Sequence, residues 1–485
     1  MSVRVRFAPS PTGLLHIGGA RTALYSYLFA KAQGGQYILR IEDTDLERSK
    51  KEFEEAMIDD LKWCGIEHDE GPDKGGDFGP YRQSERLEIY KEYAWKLVEK
   101  GMAYPCFLTS TQLDELTQKA TAEKIAPHAY HGKYRDLDLE EAKKRIEAGE
   151  AYSIRFKNPG KKWTFRDIVR GEVTFPEDMV GDFVIMRSSG LPVYNFCCVI
   201  DDYLMKISHV IRAEEHLNNT CRQLMIYDAL EAALPEFAHV SLLVGHDRQK
   251  LSKRHGATSV KQYRDDHYLP EALMNYLCLL GWSHPDEKDI FKLDEIVGLF
   301  DLKRFSKGSA LYDIQKLNFF NEQHLRALPD EEILENLKEV MPSNSIFFEK
   351  DQTWQLSFVK IFKEKLQLLP EYVEKLEYIY AEQVESEDST YKDALRWETT
   401  APMAKYLRSE LESLSSQGQV SEELVGQWMD VLKKEHKIKG KQLFMGLRVL
   451  LTGKSHGPDL KPLVAMTPFE LLIKRLSSAQ SLMNQ

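Results

Sequence analysis

Long apolar runs, paired cysteines and surplus positive charge are all scarce in this 485-residue chain, and each scarcity closes off a class of protein. No stretch approaches the roughly 18 apolar residues needed to cross a bilayer. The start, Met-Ser-Val-Arg-Val-Arg, carries no apolar signal core, so a cytoplasmic protein without membrane contact is expected. Cysteine occurs at Cys64, Cys106, Cys197, Cys198, Cys221 and Cys278, never as Cys-x-x-Cys, which argues against a disulfide framework and for buried thiols. The net charge of -11 is wrong for a protein that coats polyanions, so a nucleic-acid partner must meet a local basic surface. One candidate holds Lys433, Lys434, Lys437, Lys439, Lys441, Arg448, Lys454 and Lys461 against only Glu435 and Asp459. A solvated helix face is an equal reading of that stretch.

What is present is globular. Hydrophobic residues make up 42% and charged residues 29%, and the length exceeds what one core can organise, so roughly three to five domains are expected. Val3, Val5 and Phe7 alternate with Arg4 and Arg6 as a strand would, and the pattern stops at Pro9-Ser-Pro-Thr-Gly13. Ala20, Ala23, Leu24, Tyr27 and Leu28 predict a helix over 17–33, ended by Gly34-Gly35, with a second strand over 37–41. Strand, loop, helix, strand predicts a right-handed βαβ unit and a parallel sheet. Over 102–191 short strands, a charged helix at 139–147 and the turn Asn158-Pro159-Gly160 predict an inserted α+β domain. The parallel-sheet pattern resumes over 192–200, and from about 213 onward the chain reads as mostly helical. Beyond 323 helix-period runs recur at 331–340, 354–368, 421–436 and 468–477. The polar stretch 382–390 reads as a domain joint or a capped helix end.

Two constellations carry chemistry. The first, Pro9-Ser-Pro-Thr-Gly-Leu-Leu-His16-Ile-Gly18-Gly19-Ala-Arg21, sits on the loop and first helical turn after strand one. A helix N-terminus offers unpaired N–H groups and partial positive charge to a triphosphate. Gly18 and Gly19 would let a nucleotide lie against the backbone, and His16 can donate to phosphate oxygens as charge migrates. Taken alone, a plain glycine-rich helix start explains it equally well. The second, Lys250-Leu-Ser-Lys253-Arg254-His-Gly256, is a cationic loop suited to a leaving pyrophosphate, or else a solvated basic turn.

In this order and far apart, His16-Ile-Gly-Gly19 and Lys250-Leu-Ser-Lys-Arg254 resemble the HIGH and KMSKS signatures of class I aminoacyl-tRNA synthetases. Arg6-Phe-Ala-Pro-Ser-Pro-Thr-Gly13, Arg40-Ile-Glu-Asp-Thr-Asp45, Gly79-Pro-Tyr-Arg-Gln-Ser-Glu85 and Val210-Ile-Arg-Ala-Glu-Glu215 narrow the resemblance to the glutamyl-tRNA synthetase family. It spans the chain and is weakest over 323–432. The resemblance implies a multidomain protein: a Rossmann-like parallel-sheet α/β catalytic domain with an α+β insertion, followed by all-α anticodon-binding domains. The implied parts are 1–101 and 192–322 for the catalytic halves, the second with the stem-contact region. Residues 102–191 form the acceptor-end insertion, and 323–385 and 386–485 the helical anticodon-binding subdomains.

The implied reaction activates L-glutamate with ATP and magnesium to glutamyl-adenylate, then transfers glutamate to the 3′-terminal adenosine of tRNA(Glu). Adenylate formation is expected to wait for the tRNA, and the protein to act as a monomer. By resemblance, Arg6, Tyr194 and Arg212 hold the substrate's side-chain carboxylate, a task that suits bidentate guanidinium groups. Glu42 faces its ammonium, and Ala8 and Ser10 line the same pocket. His16, Lys250 and Lys253 are the implied catalytic residues, with Gly18, Gly19, Glu215 and Leu243 beside the nucleotide. Lys439, Lys441 and Arg448, in Lys439-Gly-Lys-Gln-Leu-Phe-Met-Gly-Leu-Arg448, match the family's anticodon-binding segment, although Gly446 stands where relatives carry proline and is expected to loosen a turn. No protein-held metal is expected: Cys106, His128 and His131 have the wrong spacing for the zinc that some relatives hold. Glutaminyl-tRNA synthetases end in β-barrels, against the helical pattern here, and a shorter tRNA-modifying paralogue lacks the C-terminal domains. Charging of tRNA(Gln) as well, or a catalytically inactive RNA-binding role, are the alternatives; the presence of His16, Lys250 and Lys253 speaks against the second.

Overall fold

Alternation at the N-terminus becomes a strand, β1 (Arg4–Phe7), buried on both faces. Arg4 and Arg6 are therefore interior charges, and each is met by a carboxylate: Arg4 donates to Glu70 at 2.7 Å and Arg6 to Asp202 at 3.0 Å. In the computed structural model all residues are described except 1, 46, 127, 253, 255, 257, 383–387, 415–419 and 484–485. They fall into two compact units, Met1–Asp265 with Pro270–Leu317, and Asp266–Leu269 with Asn318–Gln485.

The first unit is built on β1, β2 (Gln36–Leu39), β3 (Ala103–Cys106), β4 (Ser153–Phe156), β5 (Trp163–Asp167), β6 (Gly171–Phe175), β7 (Phe183–Met186), β8 (His209–Ala213), β9 (Glu236–Val240), β10 (Leu243–Val244) and β11 (Ala310–Leu311). Its central sheet has six strands in the order β2-β1-β8-β9-β5-β6, parallel except for the hairpin partner β6 at the edge. The helix Ile17–Ala32 follows β1 and leads into β2, which is the βαβ unit expected of the sequence. Strands β3, β4 and β7 make a separate antiparallel sheet, and β10 pairs with β11.

Two expectations need correction. Residues 192–200 are not a strand but the start of the helix Tyr194–Leu204, in which every residue from Phe196 to Asp202 is buried. A short run apolar at nearly every position looks the same as a buried strand or a buried helix, because neither period shows. Strands β5 and β6 lie inside 102–191 yet extend the central sheet, so only part of that segment stands as its own layer. The mostly helical reading from about 213 onward holds, with strand β9 inside that region; Phe237, Ala238 and His239 fill β9 with interior side chains that give no alternation.

In the second unit no strand occurs among the described residues; helices include Asp330–Val340 and Gln352–Phe362, and Glu422–Lys434, Gly440–Thr452 and Phe469–Met483 enclose a core around Trp428, Leu447 and Leu472. Gly446 is not in a turn. It is buried in the middle of the helix Gly440–Thr452, where a Cβ would come 2.9 Å from the Met403 methyl, so the glycine lets Met403 pack against the helix.

Candidate active site

The carboxyl ends of β1 and β8 and the N-terminus of the helix Ile17–Ala32 frame a cleft of about 940 Å³. A parallel sheet opens such a crevice where adjacent strands send their connections apart. Arg6, Ala8, Ser10, Glu42, Tyr194 and Arg212 line it together with His16, Gly18, Gly19, Glu215, Leu243 and Lys250. Lys253 lies outside the described residues. Lys439, Lys441 and Arg448 belong to the helical unit.

His16 caps the first helix with its own ring: the Gly18 N–H donates to Nδ1 at 3.0 Å. Accepting through Nδ1 leaves the proton of the neutral ring on Nε2. Burial, and then the charge of Lys250, push its pKa down, so the neutral donor is the resting form. Gly18 and Gly19 allow close packing, since a Cβ would come 3.2 Å from the His16 ring and 3.3 Å from Leu15 respectively. Lys250 is paired with the carboxylate of Glu215.

At the floor, Arg6, Arg40 and Arg86 meet Glu42, Asp201 and Asp202. Arg6 donates to both oxygens of Asp202, at 3.0 and 3.3 Å. Arg40, fully buried, donates to Asp202 at 2.7 Å and to Glu42 at 3.2 Å. Arg86, Gln83 and Tyr90 satisfy Asp201. Burial raises each carboxyl; Arg6 and Arg40 outweigh it at Asp202, which sits below the usual range, while Glu42 is pushed up to about 7. Interior charges persist when paired in this way. Arg6 is thus already neutralised, which its sequence position did not reveal.

Arg212 is different. Its Nε donates to the ring of His239 at 3.1 Å, and its Nη2 to Thr220 at 2.9 Å and Gln223 at 2.7 Å. All three are neutral acceptors, and Nη1 has no partner among the described residues although Arg212 is only 5% exposed. A buried cation with neutral partners and an idle donor is costly unless an anion completes it.

Matches to known proteins give the family. The family model described as tRNA synthetases class I (E and Q), catalytic domain, matches residues 2–319, and one described as anticodon binding domain matches 323–480. Among relatives, glutamate–tRNA ligase 1 of Caldicellulosiruptor saccharolyticus is 45% identical over 98% of both chains, and the glutamate–tRNA ligase of Bdellovibrio bacteriovorus 44% identical over 98% of both. The chain belongs to the glutamyl-tRNA synthetase family. The crystal structure of a glutamate tRNA ligase from Elizabethkingia meningosepticum in complex with its amino acid superposes with a TM-score of 0.88 at 35% identity, covering 99% of each chain.

Sequence reasoning about the synthetase missed several groups. Arg48, Arg187, His216 and Asn219 also line the cleft. Asp201-Asp202, two acids in an otherwise apolar run, were a visible signal; His239 and Asp167 gave none. In the helical unit Lys439 and Lys441 are exposed, and so is Phe444 between them and Arg448. Arg448 is half-buried and donates to the Pro458 carbonyl at 2.7 Å, a bond that holds the loop following its helix. The side chains weighed as zinc ligands have other surroundings: Cys106 is buried in β3, and His131 contacts Thr117 at 3.0 Å and Arg155 at 3.4 Å.

Proposed function

We propose that this chain is a glutamate–tRNA ligase whose amino-acid pocket is organised around Arg212. The observation that carries the reading is the buried guanidinium without a carboxylate partner, in the same cleft as a histidine-capped helix N-terminus. The substrate brings two carboxylates and one ammonium. Its side-chain carboxylate would complete Arg212, with Tyr194 and Arg6 beside it, and its ammonium would meet Glu42, with Ala8 and Ser10 lining the pocket.

Activation needs the α-carboxylate oxygen to attack the α-phosphorus of ATP while the bond to the β-phosphate oxygen breaks and pyrophosphate leaves. No proton has to move, so positioning and charge stabilisation dominate. His16 Nε2–H would donate to a phosphate oxygen, Gly18 and Gly19 would admit the nucleotide, and Leu243 and Glu215 would lie beside adenine and ribose. Lys250, once released from Glu215, and Lys253 would stabilise the departing pyrophosphate. In the second step the terminal adenosine's 2′-hydroxyl attacks the acyl carbon, its proton passes to a phosphate oxygen of the adenylate, and the acyl–phosphate bond breaks to release AMP. Among the described residues no group of three or more His, Cys, Asp or Glu side chains is placed to hold a metal. Magnesium binds largely through phosphates and waters, so it fits as part of the ATP complex.

The acceptor end of tRNA(Glu) would meet the 102–191 segment, and the anticodon the helical unit through the surface of Lys439, Lys441 and Arg448. Action as a monomer in the cytoplasm is the accompanying expectation. Charging purified glutamate tRNA with labelled glutamate, with and without ATP, tests the activity. Arg212→Ala should raise the KM for glutamate far more than the KM for ATP; equal effects on both would remove Arg212 as the carboxylate anchor.

A further inference from the structure

Arg212, His239 and Asp167 stand on β8, β9 and β5, adjacent strands of the central sheet. Arg212 and His239 are register partners across β8 and β9, and Asp167 at the end of β5 pairs with β9 at Phe237. All three are interior: Arg212 is 5% exposed, His239 0% and Asp167 1%. None is held by chance. Asp167 Oδ2 accepts from His239 Nδ1 at 2.6 Å and from the His239 backbone N–H at 3.1 Å, while Oδ1 accepts from the N–H groups of Val169 at 2.9 Å and Arg170 at 2.8 Å.

These bonds fix the protons. With Nδ1 committed as a donor, the neutral imidazole has only a lone pair at Nε2. That lone pair faces Arg212 Nε–H at 3.1 Å. A protonated ring would set donor against donor and cation against cation. Burial is the main reason the ring stays neutral: it pushes His239 down to about 4 against the opposing pull of the Asp167 hydrogen bond.

Resting on the reading of Arg212 as the carboxylate anchor, we propose that Asp167 and His239 are positioning residues for amino-acid recognition. Asp167 holds His239 in the tautomer with hydrogen on Nδ1, and His239 in turn fixes the Arg212 guanidinium so that Nη1 is left for the substrate's side-chain carboxylate. Thr220 and Gln223 anchor the other side of the same guanidinium. The arrangement orients a cation without neutralising it, which a carboxylate bound directly to it could not do.

The test is steady-state aminoacylation of glutamate tRNA by the full chain, with KM measured separately for glutamate and ATP. His239→Leu removes the acceptor. Asp167→Asn lets an amide N–H face Nδ1 and so favours the opposite tautomer. Each should raise the glutamate KM about 10- to 100-fold, the scale of a hydrogen bond to a charged group, with the ATP KM within about twofold. His239→Gln, whose amide oxygen can stand near the position of Nε2, should restore most of the affinity. Combining His239→Leu with Arg212→Lys should cost less than the sum of the two, because both act on one interaction with the substrate. Equal rises in both KM values, no rescue by His239→Gln, or full additivity would each overturn the relay. If Arg212→Lys raises the glutamate KM and the His239 and Asp167 variants do not, the relay fails and the anchor stands; if Arg212→Lys also has no effect, the anchor itself fails. Should His239→Leu not fold, Asp167→Asn, which exchanges an oxygen for an amide nitrogen, decides the same question.

Discussion

His16 accepts a backbone N–H through Nδ1 and keeps its proton on Nε2, so its structural and chemical uses separate on substitution. Asparagine is a good N-cap and can still accept from Gly18, but it has no counterpart to Nε2–H. His16→Asn should therefore leave the melting temperature unchanged and lower kcat by about 100- to 1000-fold, the usual loss for a donor aimed at developing charge. A fall in activity that merely tracked a loss of stability would reduce His16 to a cap. Glu42 makes a second prediction. Burial pushes its carboxyl up to about 7 despite Arg40 and Arg6. An ammonium ligand needs the ionised form, so above that pH the pocket is ready, and below it each unit of pH costs about tenfold in affinity. The glutamate KM should climb as pH falls from about 8 to about 6, with the ATP KM nearly flat, and Glu42→Gln should abolish the dependence while weakening binding throughout. A glutamate KM independent of pH across that window would remove Glu42 from the ammonium site. The cleft-lining residues that the sequence made legible were those in contiguous text, such as 6–21, 40–45, 210–215 and 250–252. Asp167 and His239 were not, because their meaning comes from strand neighbours distant in sequence.

Elements were legible where polar and apolar residues alternate in the text, even when the polar ones are interior arginines as in β1, and illegible where apolar residues run without a period. The alternation of Val3, Val5 and Phe7 located β1 and the charged helix Leu139–Glu147 declared itself, but the doubly buried Tyr194–Leu204 and β9 carry no period to read. Glycines show the same limit, since a sequence does not say what stands opposite a missing Cβ. At Gly35, which joins the first helix to β2, a Cβ would lie 2.4 Å from the Val3 carbonyl oxygen, a backbone atom that cannot yield without breaking the start of the β1 and β2 pairing. At Gly446 the obstacle is the methyl end of Met403, and the substitution also adds helix propensity worth up to about 1 kcal/mol. Gly35→Ala should destabilise the first unit by about 1–3 kcal/mol, as overpacking does, whereas Gly446→Ala should change the second by less than about 1 kcal/mol. Thermal or denaturant unfolding of both variants checks the order; a greater loss at Gly446 would mean that Met403 cannot move.

For the whole molecule the controlling fact is a net charge of -11 in a protein proposed to hold a polyanion. Long-range attraction then works against the partner, so affinity has to come from local pairings that exchange bound counterions for lysine and arginine. On the helical unit Lys439 and Lys441 are exposed, and Phe444 beside them is 58% exposed, an unusual setting for a phenyl ring unless it meets another flat surface. Unstacked bases of an RNA loop supply such surfaces, each stack being worth about 1–3 kcal/mol. Replacing Lys439 and Lys441 together by alanine should raise the tRNA KM and flatten its salt dependence by about 0.7 in the log–log slope for each phosphate no longer neutralised. Phe444→Ala should weaken tRNA binding by a similar free energy to one stack and leave that slope unchanged, because no ion is released by a ring. At saturating tRNA both variants should keep the glutamate and ATP constants of the parent, since none of these residues belongs to the unit that holds the cleft. Titrating tRNA binding at several salt concentrations separates the two contributions, and a steeper loss of salt dependence for Phe444→Ala than for the lysine pair would show that this surface is not where the backbone and bases of the tRNA are met.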